Sequence, residues 1–286
     1  MSQVTEHLVG QISAMISQRS GVEFRPRQTQ PLGGGCINQA LMLSDGTSRW
    51  FVKLNRAERL EMFEAEAAGL EALAATGAIR VPQPLGAGVA GEQSFLVLEY
   101  LELGGRGDAA EAGRQLAELH RHQAEAFGWQ RDNCIGSTPQ INTWQASWID
   151  FWREQRLDFQ LQLLKRNGLA SGRLLSDAQI LVQQLPALLT HNPAPSLLHG
   201  DLWGGNLAYA AEGAPVIFDP AVYYGDREAD IAMTELFGGF PQAFYTAYNQ
   251  AWPLDAGYPR RKTLYNLYHI LNHANLFGGS YLGQAQ

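Results

Sequence analysis

The stretch from Ser196 to Asn206, with the apolar run that ends at Asp219, constrains this chain more than any other part of its sequence. An apolar, strand-like segment leads to His199 and Asp201 in a glycine-containing loop, and Asn206 closes that loop. Short apolar runs bounded by turn residues indicate buried strands. We therefore expect three oxygen-bearing side chains at the ends of two strands.

This set of side chains suits phosphoryl transfer. One carboxylate can orient and deprotonate an attacking hydroxyl, while an amide and a second carboxylate can hold Mg²⁺ against the phosphates. The spacing His-x-Asp-x-x-x-x-Asn of residues 199, 201 and 206 equals that of the kinase catalytic loop. The alternative is a tight turn, because Gly, Asp and Asn are common turn formers. The strand-like run that ends at Asp219 favours catalysis.

A glycine triplet and a lysine predict a place for nucleotide phosphates in the N-terminal part of the chain. The triplet precedes two apolar runs around Asp45-Gly46, which predict a hairpin, and the second run ends at Lys53. Glycines before a strand let backbone N–H groups approach an anion, and a lysine on the following strand can reach phosphates. A flexible loop and a surface lysine are the alternatives. The triplet is Gly33, Gly34 and Gly35.

Residues 58–76 are rich in strong helix formers and stop at Gly77, which predicts a helix. In a kinase-like lobe one acid of this helix pairs with the strand lysine. We choose Glu66, because it lies in the middle of the helix beside apolar positions that include Phe63 and Leu70. The sequence therefore predicts that Lys53 and Glu66 form a pair.

The run from Ser94 to Leu101 reads as a buried strand that leaves one domain and enters the glycine-rich residues 104–107. This predicts a hinge between two domains, residues 1–101 and 102–286. A plain exit from a strand into a loop is the alternative. The backbone groups expected to face an adenine edge are those of Glu99, Tyr100 and Leu101.

Composition excludes several classes of partner. The net charge of −7 argues against nucleic acid or an anionic membrane, since both need a basic surface. Cys36 and Cys134 are far apart and have no neighbouring Cys or His ligands, which fits a reducing cytosol. The N-terminal residues show no secretory pattern, and no apolar stretch approaches a membrane span. We expect a cytoplasmic protein.

The residues just after Asp219 lie where a substrate would be met. Tyr224 and Asp226 are weak candidates for substrate contact, and Tyr223 could also take part. Asp230 begins an apolar helical run, which favours a helix cap or a brace for the catalytic loop over direct chemistry.

Three histidines are better explained by burial than by chemistry. His120 falls on the expected buried side of a helix that begins at Asp108 and runs to about residue 126. His269 and His273 are spaced i, i+4 in a C-terminal helix, which could bind a metal, but no third ligand accompanies them.

The order of these motifs resembles that of the fructosamine kinase (ketosamine 3-kinase) family. The more specific pieces are Ile135-Gly-Ser-Thr-Pro-Gln140 and Tyr223-Tyr-Gly-Asp-Arg-Glu-Ala-Asp230. The others are Gly33-Gly-Gly-Cys-Ile-Asn38, Phe51-Val-Lys-Leu-Asn55, Phe63-Glu-Ala-Glu-Ala67, Leu96-Val-Leu-Glu-Tyr-Leu101 and His199-Gly-Asp-Leu-Trp-Gly-Gly-Asn206. His-Gly-Asp itself is shared with aminoglycoside and choline kinases.

The resemblance implies an α+β fold of the two-lobed protein-kinase-like (aminoglycoside phosphotransferase-like) type, with a small β-rich lobe and a larger helical lobe. It implies ATP and Mg²⁺ as cofactors and phosphorylation of the C3 hydroxyl of ketosamines, either small molecules or glycated protein side chains. A related small-molecule kinase for an aminoglycoside or choline-like alcohol and a silent nucleotide-binding module are the alternatives.

Residue roles also follow from the resemblance. Asp201 resembles the proton acceptor, Asn206 and Asp219 the metal ligands, and Lys53 with Glu66 the phosphate-holding pair. Trp203 in the catalytic loop is expected to face the sugar amine. The family often has a cysteine at the position of Cys36. A thiol among backbone N–H groups ionises more easily than most, so we hypothesise that its oxidation impairs ATP binding.

Overall fold

The computed structural model describes residues 3–33, 37–170 and 172–286. It divides into two units. The first contains residues 1–107 and 209–218, and the second contains residues 108–208 and 219–286. The sequence-based division at residue 101 did not anticipate that a segment from the C-terminal half belongs to the first unit. A parallel bridge between Arg80 and Val216 ties this segment to the N-terminal residues.

The first unit is built on one antiparallel sheet with the strand order β1-β2-β3-β5-β4. The predicted hairpin is confirmed as β2 and β3, and its turn is closed by Asp45, whose Oδ1 accepts hydrogen bonds from the backbone N–H groups of Thr47 and Ser48 at 2.7 Å each. The strands are β1 (Gln28–Leu32), β2 (Gln39–Ser44), β3 (Arg49–Arg56), β4 (Pro84–Ala90) and β5 (Gln93–Glu99).

Two helices accompany this sheet, α1 (Gln3–Ser20) and α2 (Leu60–Ala75), and a short 3₁₀ helix, Ala57–Arg59, precedes α2. Leu8, Ile12 and Ile16 of α1 pack with strand residues such as Val52 in one buried apolar cluster. The predicted helix over residues 58–76 is confirmed as α2 and ends before Gly77, whose φ is +64°. Strand β3 and helix α2 therefore carry the predicted lysine and glutamate.

The second unit is mainly helical. Its helices are α3 (Ala109–His120), α4 (Trp148–Phe151), α5 (Phe159–Arg166), α6 (Gly172–Leu188), α7 (Arg227–Leu236), α8 (Gln242–Ala251), α9 (Tyr258–Phe277) and α10 (Ser280–Gln284), with a π-helix, Trp152–Asp158, between α4 and α5. The short strands β6 (Asn133–Ile135), β7 (Thr138–Gln140), β8 (Ser196–Leu198) and β11 (Tyr223–Gly225) also belong to the second unit. Strand β9 (Leu207–Tyr209) spans the boundary between the units in the sequence, and β10 (Pro215–Ile217) belongs to the first unit. Among the residues that the structure describes, none of the helices combines the length and the hydropathy that a membrane span requires.

Helix α3 ends six residues earlier than the sequence predicted. Asp108 caps it as expected, since its carboxylate accepts a hydrogen bond from the Ala110 N–H at 2.8 Å. After His120 the chain turns to pair with strand β8, and the Leu197 N–H donates to the His122 carbonyl at 2.8 Å. Backbone pairing with a distant strand outweighs the helix propensity of the local sequence.

Strands β8 and β11 set up the functional region. They pair antiparallel, with Leu198 opposite Tyr223 and Ser196 opposite Gly225. The loop from His199 to Asn206 begins where β8 ends, and the segment from Asp219 to Val222 lies just before β11. The pairing therefore brings the loop and this segment to the same end of a two-stranded sheet.

Candidate active site

The loop after β8 is held close to the segment that follows Asp219. The Ala221 N–H donates to the His199 carbonyl at 2.8 Å. Gly200 adopts φ +84°, and a Cβ on it would lie 2.0 Å from the Ala221 carbonyl oxygen. Only glycine permits this conformation and this approach, which explains the central residue of His-Gly-Asp.

Asn206 closes the loop from inside. Its Nδ2 donates to the Asp201 backbone carbonyl at 2.8 Å, and its own N–H donates to the Trp203 carbonyl at 2.9 Å. The residue is 5% exposed. Because Nδ2 is used within the loop, the amide oxygen is the atom that could ligate a cation.

Asp201 and Asp219 form an acidic pair. Burial, followed by the negative charges of Asp219 and Asp230, raises the pKa of Asp201 to about 7. Asp219 is the one residue other than glycine with a positive φ, +58°, among the described residues. Such a conformation costs energy and is typical of functional sites. Two carboxylates and an amide oxygen are the hard ligands that Mg²⁺ prefers, so this donor set fits a divalent cation.

Asp230 supports the backbone of the loop from His199 to Asn206. Its carboxylate accepts hydrogen bonds from the backbone N–H groups of His199 at 2.7 Å and Gly200 at 2.8 Å, and His120 Nε2 lies 3.2 Å away. Burial alone would raise the pKa of Asp230, but the His120 and backbone partners lower it overall. Of the two roles predicted for Asp230, the brace is confirmed, while the cap of α7 is Asp226.

Asp226 lies in the interior and is not placed to touch a substrate. It is 1% exposed, and its Oδ1 accepts the cap hydrogen bond from the Glu228 N–H at 3.0 Å. Its Oδ2 contacts His191 Nε2 at 2.5 Å and also accepts from the Tyr265 hydroxyl. These buried contacts replace the weak substrate role that the sequence suggested.

His191 was missed by sequence reasoning, because 35 residues separate it from Asp226 and no local pattern marks it. Together with Asp226 and Glu228 it forms the one group of at least three potential metal-ligating side chains found among the described residues. Arg261, however, already donates to both oxygens of Glu228, at 2.7 and 2.8 Å. The group therefore reads as a buried charge network that joins α7 to α9.

Two aromatic candidates for substrate contact remain accessible in the second unit. Trp203 is 39% exposed, and its ring covers Gly205, where a Cβ would lie 2.3 Å from the indole. Tyr224 is half-buried between Trp129 and Trp144, with ring centroids at 5.6 and 6.0 Å. Desolvation raises the pKa of Tyr224.

In the first unit, Lys53 and Glu66 form the predicted pair. Lys53 Nζ lies 2.5 Å from Glu66 Oε1, and the two side chains are 8% and 11% exposed. Lys53 is fixed on β3 and Glu66 on α2, so the pair joins the sheet to its helix. A buried pair of this kind holds the ammonium group in one place.

The residues predicted to form a hinge, Glu99, Tyr100 and Leu101, have contacts within the first unit. The Glu99 N–H donates to the Gln83 carbonyl at 2.8 Å, so any adenine contact of Glu99 is left to its carbonyl group. The Glu99 carboxylate lies 3.2 Å from Arg80 Nη2. The Tyr100 ring is covered by the guanidinium of Arg49 at 4.8 Å, and Leu101 follows it at the start of the linker.

Gly33 directly follows β1, and a Cβ there would meet nothing within 4 Å. Gly34, Gly35 and Cys36 lie outside the described residues. The phosphate-binding loop and the redox hypothesis for Cys36 therefore stay predictions.

Of the three histidines predicted to be buried, His120 and His269 are buried and His273 is partly buried. His120 is fully buried, and its Nδ1 lies 2.8 Å from the Tyr248 hydroxyl. His269 is also buried, which lowers its pKa to about 3. His273 is partly buried and its Nδ1 donates to the His269 carbonyl at 2.8 Å.

Comparison with known proteins gives first the class and then the family. A choline kinase from Streptococcus pneumoniae has the same fold, with a TM-score of 0.66 at 14% identity over 98% of this chain and 96% of the other. The fold is thus the predicted α+β, protein-kinase-like fold of small-molecule phosphotransferases. The fructosamine kinase family model matches residues 8–286, and the chain belongs to this family.

Individual relatives agree with this assignment. The probable ketoamine kinase of Synechocystis sp. is 52% identical over 278 residues, 96% of this chain and 93% of the relative. The chloroplastic protein-ribulosamine 3-kinase of Arabidopsis thaliana is 46% identical over 259 residues, 89% of this chain and 79% of the relative. The crystal structure of a candidate fructosamine-3-kinase from Haemophilus somnus 129PT gives a TM-score of 0.92 at 34% identity, with 100% and 97% coverage.

Proposed function

We propose that the protein is an ATP-dependent kinase that phosphorylates the C3 hydroxyl of ketosamines, the fructosamine and ribulosamine adducts of amines. Family membership and relatives named ketoamine kinase and protein-ribulosamine 3-kinase support this substrate class. A phosphate at C3 destabilises the sugar–amine adduct, so the activity serves deglycation. We place it in the cytoplasm, because Cys36 and Cys134, which have no neighbouring Cys or His ligands, fit a reducing compartment.

The observation that carries the proposal is the environment of Asp201. A general base works best when its pKa is close to the operating pH. Burial and the neighbouring acids bring the pKa of Asp201 to about 7, so near neutral pH it can both exist as a carboxylate and take a proton. Asp201 accepts the proton of the sugar hydroxyl and aligns its oxygen for attack on the γ-phosphate.

The other residues act by position and charge. Lys53, fixed by Glu66, binds the phosphates of ATP, and the backbone of Glu99 to Leu101 receives the adenine. Asn206 Oδ1 and the Asp219 carboxylate would hold Mg²⁺, which would offset phosphate charge. Trp203, exposed two residues after Asp201, offers its ring to the amine side of the substrate, since a cation over an indole face is attracted to it.

The test is ATP-dependent phosphate incorporation into fructosamine and ribulosamine adducts, each as a small amine adduct and on a protein. We expect incorporation by the wild type and almost none by Asp201→Asn. Incorporation into choline or an aminoglycoside, but into no ketosamine, would identify a related small-molecule kinase. Nucleotide binding without any transfer would identify a silent module.

A further inference from the structure

The hairpin of β6 and β7 contains the motif Ile135-Gly-Ser-Thr-Pro-Gln140, which the mechanism above leaves unused. Strands β6 and β7 are joined by a two-residue turn in which Gly136 has φ +62°, as in a type II′ turn. This register sets Asn133 directly opposite Gln140. Directly opposed residues present their side chains on the same face of a hairpin.

The two side-chain amides bind consecutive carbonyl groups of the segment that follows Asp219. Gln140 Nε2 donates to the Ala221 carbonyl at 3.0 Å, and Asn133 Nδ2 donates to the Val222 carbonyl at 2.7 Å. Both side chains are buried, at 1% exposed for Gln140 and 8% for Asn133. Neither Ala221 nor Val222 belongs to a strand. Side chains therefore supply the hydrogen-bond donors that a neighbouring strand would otherwise give to these two carbonyl groups.

The amides are themselves oriented by further buried groups. Gln140 Nε2 also donates to Asn133 Oδ1 at 2.8 Å, and the Tyr268 hydroxyl donates to Gln140 Oε1 at 2.7 Å. Asn142 Nδ2 donates to the same Asn133 oxygen at 3.0 Å, while Arg156 Nη2 donates to Asn142 Oδ1 at 2.8 Å. Each amide can therefore point in one direction, because its oxygen is used by a donor and its nitrogen by an acceptor.

Ala221 lies between this hairpin and the catalytic loop. Its N–H donates to the His199 carbonyl, while its carbonyl oxygen accepts from Gln140 and faces Gly200 at a distance that excludes a Cβ. A shift of Ala221 would move the backbone next to Asp219 and the backbone next to Asp201 together. The amides thus bind the segment that links the backbone beside Asp219 to the backbone beside Asp201.

We infer that Gln140 and Asn133 are positioning residues for phosphoryl transfer, which fix the segment after Asp219 against the loop that carries Asp201. The inference rests on the proposed function for its kinetic part only. Groups that orient ligating or catalytic residues from behind typically contribute about 10- to 100-fold in activity or metal affinity. We assign the family-specific hairpin motif to this task.

The test compares Gln140→Met with Gln160→Met. Gln160 is a control of matched chemistry, because it is a fully buried amide in the same unit. Its side chain bonds to Asn272, Asn275 and Tyr268, whereas the carbonyls of Ala221 and Val222 are bound by Gln140 and Asn133. We expect Gln140→Met to lower kcat about 10- to 100-fold with an unchanged KM for the ketosamine. Gln160→Met should lower the melting temperature and leave kcat in place.

Hydrogen exchange gives a readout that does not depend on activity. The Ala221 amide should exchange faster in Gln140→Met than in the wild type and be unchanged in Gln160→Met. If the wild type phosphorylates no ketosamine, the proposed function fails while the exchange comparison still tests the positioning role. Equal exchange of Ala221 in all three proteins, or equal kinetic losses in both variants, would overturn the inference.

Asn133→Asp provides a second variant in case Gln140→Met does not fold. It keeps the shape of Asn133 and the two hydrogen bonds that its oxygen accepts. In the charged form its second oxygen cannot donate to the Val222 carbonyl, whereas the protonated form can, so the variant is compared with the wild type at a pH where the new carboxyl is ionised. A folded Asn133→Asp protein should show reduced kcat and faster exchange in residues 221–223. Wild-type values for both quantities would refute the role of Asn133.

Discussion

Replacing Asp201 with Asn should abolish turnover and at the same time stabilise the ligand-free protein. Burial and the charges of Asp219 and Asp230 move the pKa of Asp201 from 3.8 to about 7. A shift of about three units corresponds to roughly 4 kcal/mol of cost for holding the charged form, at about 1.36 kcal/mol per unit. Because Asp201 is partly exposed, solvent screens its charge, and we expect Asp201→Asn to recover about 1–2 kcal/mol of this cost.

The sign of the pH dependence follows from linkage. A carboxyl whose pKa is raised in the folded protein binds protons more readily there than in the unfolded chain. The cost is therefore fully present above pH 7, declines as the pH falls from about 7 towards 3.8, and is absent below both values. The Asn variant should melt above the wild type by about 2–8 °C at pH 8, and the difference should shrink towards pH 5.

The assay is thermal unfolding at pH 5 and pH 8, paired with turnover and nucleotide binding at pH 8. Turnover should fall about 10²- to 10⁴-fold, because a general base is lost, whereas ATP affinity should be preserved. Asp158→Asn is the control, since burial also raises the pKa of Asp158, which lies in the π-helix away from the loop. A lower melting temperature for Asp201→Asn at pH 8, or near-normal turnover, would refute the reasoning.

Three further variants test other parts of the site. Asp230→Asn should destabilise the protein, because the lowered pKa of Asp230 stabilises the fold above about pH 4. This stability is lost as the pH falls through the folded pKa of Asp230. The melting temperatures of the wild type and the variant, measured from pH 3 to 8, should therefore converge at the acid end. Lys53→Met should weaken ATP binding and lower the free energy of unfolding by about 3–5 kcal/mol, because Glu66 stays buried without its lysine. The double variant with Glu66→Gln should regain stability in urea unfolding but should not regain ATP binding. Gly200→Ala should reduce kcat far more than Gly204→Ala, because a Cβ at Gly200 meets the Ala221 carbonyl at 2.0 Å whereas nothing lies within 4 Å at Gly204; equal losses would contradict the packing argument.

Sequence reasoning succeeded where the determining interactions are local. The hairpin of β2 and β3, helix α2 and the loop from His199 to Asn206 each depend on periodicity, turn residues and spacing within a few residues. The pairing of Lys53 with Glu66 was also accessible, because a strand and the helix that follows it are close in the chain. The end of α3 was missed, because strand pairing with Leu197 decides it from more than 70 residues away.

The same limit explains the contrast between Asp226 and Asp230. From the sequence, Asp226 is a weak candidate for substrate contact, and Asp230 is expected to cap a helix or brace the loop. The choice depends on His191 for Asp226 and on His120 with the loop backbone for Asp230, and these partners are distant in sequence. Buried carboxylates are assigned by the donors around them, and donors from other elements are visible only in the folded chain.

The sequence after Asp219 indicates that its carbonyl groups need hydrogen-bond donors, but it does not indicate which residues supply them. Asp219-Pro220 interrupts an apolar run, and the positive φ of Asp219 takes the chain out of strand geometry. Buried carbonyls outside a strand need hydrogen-bond donors from elsewhere, because each one left unmade costs about 1–3 kcal/mol. Those donors come from Asn133 and Gln140, more than 80 residues earlier. The conformation of Asp219 thus depends on the hairpin of β6 and β7, which is distant in sequence. This dependence explains why the hairpin carries buried amide side chains.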